Sequence, residues 1–104
     1  MNGNKLIIEY IKENYRYDPF DGEVAKVKTY DVRLINKVGT LVGVYNRTTG
    51  HNEIKIKFKN KEYVFLYQDI CWLLYYNEFT ENKIYHVDGN IMNNEIENLQ
   101  QRNV

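Results

Sequence analysis

The chain has 104 residues, with 14 basic and 14 acidic side chains, 43% hydrophobic residues and a formal net charge of zero. That length supports a single domain, 1–104, with a real but modest core. No apolar run is long enough to span a bilayer, and the lone cysteine, Cys71, excludes an internal disulfide and fits a bacterial cytoplasm.

The N-terminal stretch is amphipathic and broken by charge, which is not the pattern of a signal peptide. Ile7, Ile8, Ile11 and Tyr15 recur at helical spacing, so a helix is predicted over 4–15, with Asn4 as its cap. Tyr17-Asp18-Pro19-Phe20-Asp21-Gly22 is turn chemistry, because Pro19 fixes φ and Gly22 permits a positive one. Short strands are expected over Val24–Lys28 and Asp31–Leu34. Gly39 and Gly43 bracket an apolar stretch, and Asn46–Asn52 reads as a polar loop in which His51 is a solvated side chain.

The clearest strand follows. Ile54, Ile56 and Phe58 alternate with Lys55, Lys57 and Lys59, giving one apolar and one basic face. Asn60-Lys61 suits a two-residue hairpin turn, and Tyr63-Val64-Phe65 would return. The lysine ladder is read as a solvated face, since no aromatics interleave with it. Leu66–Tyr76 is apolar almost all round, which places a helix in the core with Cys71 as a small packing residue and Asn77 as C-cap. The ten tyrosines mostly fall in periodic apolar positions, so they are assigned to packing.

The last segment, Tyr85-His86-Val87-Asp88-Gly89-Asn90 followed by Asn93-Asn94-Glu95-Ile96-Glu97-Asn98-Leu99, holds one histidine in a frame of asparagines. With the Tyr-Asp-Pro turn, the hairpin and the apolar helix, it resembles the small phage-type HNH endonucleases over roughly four-fifths of the chain, from about Tyr17 onward. The resemblance implies a ββα-metal fold and a divalent ion, Mg²⁺ or Mn²⁺, that steadies the scissile phosphate. It makes His86 the match of the general base that activates water, a task suited to imidazole. Asn98 matches the asparagine that orients this histidine. Asp88, Gly89 and Asn90 match the turn that shapes the loop.

Four features depart from that family. Tyr85 stands at a metal-ligand position, and a neutral phenol is a poor ligand for a hard cation. The sequence stops at Val104, about where the last helix of the family begins, so the remaining ligand is expected to be missing. Gln68-Asp69 replaces a His-Arg pair, and Glu95 stands where arginine is common.

Charge is also unevenly spread. Residues 1–66 carry a balance of +4, and 67–104 a balance of −4. Phosphate binding needs a basic patch, so the half that resembles a nuclease site has the wrong sign.

These features predict an α+β fold: an N-terminal helix, a small antiparallel sheet, a buried central helix, and an irregular C-terminal HNH-like loop lacking full ββα-metal closure. The first functional expectation is a degenerate HNH-like phage or mobile-element protein that no longer cuts. It would need no cofactor, and it would bind a host protein with a basic surface, as an anti-CRISPR or other anti-defence inhibitor does. Asp69, Glu78, Glu81, Asp88, Glu95 and Glu97 are its candidate acidic surface. The second is a metal-dependent nicking endonuclease acting on DNA, with His86 as base and metal ligands from Asp88, Asn90 or a second subunit. The third and weakest is a non-catalytic DNA-binding module.

Overall fold

In the computed structural model, residues 2–27 and 40–102 are described. The chain opens with helix α1, Asn2–Asn14. Ile7 and Ile11 are buried, and Ile8 packs beside them. The helix starts two residues before Asn4, so Asn4 lies inside it rather than capping it. It ends before Tyr15, although Tyr15 continues the apolar period. The Arg16 guanidinium donates back to the carbonyls of Lys12 and Tyr15, at 3.0 and 2.8 Å, closing the last turn.

Tyr15 instead begins strand β1, Tyr15–Asp18, which pairs antiparallel with β2, Glu23–Lys26. The Pro19–Gly22 turn joins them. Asp18 shapes it by accepting the Phe20 amide at 2.9 Å, and the Gly22 amide donates to the Asp18 carbonyl at 2.8 Å. The strand expected from Val24 ends at Lys26. The strand expected over Asp31–Leu34 lies outside the described residues. A short β3, Thr40–Leu41, adds to β2.

The second sheet has the order β4–β5–β6. These strands are Val44–Asn46, His51–Phe58 and Lys61–Leu66. The polar loop expected over Asn46–Asn52 shrinks to Arg47–Gly50, because Asn46 pairs with His51 and Tyr45 with Asn52. Ile54 and Ile56 are buried, while Lys55, Lys57 and Lys59 are exposed. The hairpin turn is Lys59-Asn60, one residue earlier than the sequence suggests. Both residues have positive φ, at 51° and 63°, and Phe58 pairs with Lys61 across the turn.

Leu66 leads directly into α2, Tyr67–Tyr76, which buries Ile70, Cys71 and Leu73. Asn77 ends it in the left-handed conformation at φ 61°, as a C-cap does. The Tyr67 hydroxyl accepts the Val24 amide at 2.7 Å, fastening the helix to β2. Gln68 is buried and reaches the Ile84 carbonyl at 3.5 Å.

The last two strands, β7 (Lys83–His86) and β8 (Leu99–Arg102), form a third antiparallel sheet. The α+β class is as expected, but the described residues make three small sheets rather than one. The C-terminal segment is more regular than the expected irregular loop. Its two ends are paired strands, because Ile84 and His86 face inward against Leu99 while Tyr85 and Gln100 face outward. One apolar cluster unites α1, β5, α2, β7 and β8 through Ile11, Ile54, Ile70, Leu73, Ile84 and Leu99. Each such side chain contributes about 1.5–3 kcal/mol by leaving water.

Candidate functional site

His86 ends β7, opposite Leu99 on β8, and the loop 87–98 joins the two strands. The alternation of β7 turns the imidazole inward, so that only 9% of the residue is exposed. The loop is closed at its base by the Val87 amide donating to the Asn98 carbonyl at 2.8 Å. Gly89 turns the chain at φ 77°, and its amide donates to the His86 carbonyl at 3.0 Å.

Asp88 and Asn98 hold the loop through reciprocal bonds. The Asp88 amide donates to Asn98 Oδ1 at 3.0 Å, and Asn98 Nδ2 donates to Asp88 Oδ1 at 2.9 Å. The same carboxylate accepts from the Asn90 amide at 2.8 Å and from Asn93 Nδ2 at 2.9 Å. The Asn93 side chain, the Asn90 amide and the Asn98 side chain together hold the Asp88 carboxyl below the usual carboxylate range. Asn98 Nδ2 also reaches the Asn93 carbonyl at 2.8 Å. Asn98 therefore shapes the loop around Asp88, whereas the resemblance had it bonded to the histidine.

The side-chain partner of His86 is Asn94. His86 Nε2 lies 2.8 Å from Asn94 Oδ1, and Asn94 Nδ2 donates to the Ile91 carbonyl at 3.2 Å. Because the amide nitrogen is used elsewhere, the oxygen faces the ring, and Nε2 must carry the hydrogen. This leaves Nδ1 as the lone-pair nitrogen of the neutral imidazole. Asn94 is 2% exposed, and its backbone carbonyl accepts from the Tyr17 hydroxyl. Burial pushes the Tyr17 phenol well above its ordinary value, so it stays a donor.

Gly22 completes this support. It has φ 76°, and a Cβ placed there would lie 2.6 Å from the Asn94 carbonyl carbon and 2.7 Å from the Glu95 nitrogen. The early Tyr-Asp-Pro turn and the histidine loop are thus packed backbone to backbone. In the sequence Asn94 is one of the several asparagines that frame His86. The spacing alone carried no signal that separates it from Asn90, Asn93 or Asn98.

Tyr85 points to the outer face. Its hydroxyl donates to Gln100 Oε1 at 3.2 Å, and the Arg102 guanidinium sits 4.8 Å from the ring centre. A divalent ion of the kind HNH endonucleases use does not fit these donors. The Tyr85 hydroxyl is bonded to Gln100 and its ring already has a cation over it, and the Asp88 carboxylate is taken up by three hydrogen bonds within the loop. Among the described residues, no three His, Cys, Asp or Glu side chains converge as a metal site.

The predicted acidic residues divide. Glu78, Glu81, Asp88, Glu95 and Glu97 are exposed. Asp69 is partly buried in the first turn of α2, and burial pushes its carboxyl up to about 6. It is therefore not an open surface charge like the others. No described helix is long and apolar enough to cross a membrane.

No family model matches the chain, and no curated protein matches it in sequence. In structure it is similar to the protein of "DNA binding and cleavage by the HNH homing endonuclease I-HmuI", with a TM-score of 0.62 and 20% sequence identity. The likeness covers 91% of this chain and 49% of that one, so this chain spans about half the length of the endonuclease. At that identity the likeness assigns the fold: the chain is built on an HNH-endonuclease-like α+β scaffold.

Proposed function

We propose that this chain is an HNH-type scaffold that no longer cleaves nucleic acid and acts by binding a basic protein surface. The observation that carries this is the state of the position before His86. There a tyrosine faces away from the histidine and is engaged with Gln100 and Arg102. Catalysis on a phosphodiester draws most of its rate from charge stabilisation at the reacting oxygens, and a buried imidazole alone does not supply it. Glu78, Glu81, Glu95 and Glu97, all exposed and all from residues 67–104, supply the acidic surface this reading requires. Such a surface is steered onto basic grooves, including those that bind nucleic acid in host or defence nucleases.

Manganese titration followed by NMR tests the missing metal site. Paramagnetic broadening should be weak and spread over exposed carboxylates. Saturable broadening centred on His86, Asp88 and Asn90 would overturn the proposal.

One observation favours a second reading, a metal-dependent nicking endonuclease. Asn94 Oδ1 accepts from His86 Nε2, so in the neutral imidazole the lone pair falls on Nδ1, which is the form a general base requires.

A further inference from the structure

Where the far end of the histidine loop meets the first turn, the surface has a groove of about 240 Å³ lined by Pro19, Phe20, Tyr75, Glu95, Ile96 and Glu97. Its two walls come from distant parts of the chain and are fastened together, the Ile96 amide donating to the Pro19 carbonyl at 3.0 Å. Phe20 is 84% exposed, and Asp18 accepts its backbone amide, so a turn of defined backbone presents an aromatic ring to solvent. Tyr75, at the end of α2, is 49% exposed. Glu95 and Glu97 flank Ile96 and are exposed, and among the described residues no lysine or arginine lines the groove.

We propose that this groove takes an arginine side chain from a basic protein segment. The chemistry of the lining selects that occupant. A guanidinium is planar and weakly hydrated, so it stacks on an aromatic face while its N–H edge pairs with carboxylates. An ammonium presents a compact, strongly hydrated charge and cannot do both as well. The two exposed carboxylates favour a cation over a neutral or anionic guest. A nucleic-acid backbone would be repelled here.

This inference rests on the proposal that the chain binds a basic protein surface, and the test separates the two. Binding of fluorescent nona-arginine and nona-lysine is measured by anisotropy at physiological salt. The variants are Phe20→Ala, Glu95→Gln/Glu97→Gln, and the charge-matched pair Glu78→Gln/Glu81→Gln, which is exposed but does not line the groove. Wild type should bind nona-arginine more tightly than nona-lysine. Phe20→Ala, which changes no charge, and the Glu95/Glu97 pair should each weaken arginine binding by about tenfold. The Glu78/Glu81 pair should weaken it less than about twofold. Equal losses in the two carboxylate pairs, or no effect of Phe20→Ala, would overturn the groove while leaving a diffuse acidic binding surface intact. Absence of arginine binding by wild type would also overturn it. The broader proposal falls instead if the protein cuts DNA.

Discussion

The His86 imidazole and the Asn94 carboxamide form one buried unit, Nε2 2.8 Å from Oδ1, with the amide nitrogen turned to the Ile91 carbonyl. This pairing fixes the tautomer whether or not the histidine does chemistry. Nitrogen-15 NMR should find neutral His86 protonated at Nε2. Asn94→Ala leaves that N–H buried without its partner and should lower stability by about 1–3 kcal/mol, read by urea denaturation. An Nδ1–H tautomer in the wild type would contradict the orientation of Asn94.

Gly22 joins the first hairpin to the histidine loop, and both its φ of 76° and its contact with Asn94 exclude a side chain. Gly22→Ala should cost more than about 2 kcal/mol, from left-handed strain and displacement of the loop. It should also perturb the His86 ring signals, although the two residues are 64 positions apart in sequence.

Burial pushes the Asp69 carboxyl up to about 6, from an ordinary value of 3.8. The folded state therefore keeps a proton that the unfolded chain releases earlier. Stability conferred by the neutral form falls as pH rises from about 4 to about 6 and stays lower above that window. Asp69→Asn should raise the urea midpoint at pH 7 and leave it nearly unchanged below pH 4.

Asp88 behaves in the opposite sense. Its carboxyl is lowered by the Asn93 side chain, the Asn90 amide and the Asn98 side chain. The bonds it accepts are present above the ordinary carboxylate range and are lost as pH falls through the lowered value. Amide exchange at Asn90 should accelerate in that acid range, and Asp88→Asn should show the faster exchange already at neutral pH.

Much of the fold was legible in the sequence because it follows from periodicity. The alternation at Ile54, Ile56 and Phe58 is a strand with one buried face, and the apolar run ending at Asn77 is a core helix with a left-handed cap. The misplacements have local causes. Tyr15 keeps the helical period but is taken by β1, because Arg16 closes the helix behind it. The Lys59-Asn60 turn shifts by one residue because lysine, like asparagine, adopts positive φ there. At the candidate site, His86 and the Asp88–Asn98 frame were visible as a spaced motif. The division of labour between Asn94 and Asn98 was not, since it depends on which amide faces the ring. Nor did the sequence distinguish the partly buried Asp69 from the exposed Glu95 and Glu97, because burial is a property of the packed chain.

The central claim is that the scaffold has kept its histidine and lost its metal-assisted cutting. The direct measurement is conversion of supercoiled plasmid to nicked circles in Mg²⁺ or Mn²⁺, comparing the wild type with His86→Ala. No difference between the two, both at the level of plasmid alone, is the predicted result. Nicking that requires the metal and disappears in His86→Ala would contradict the account.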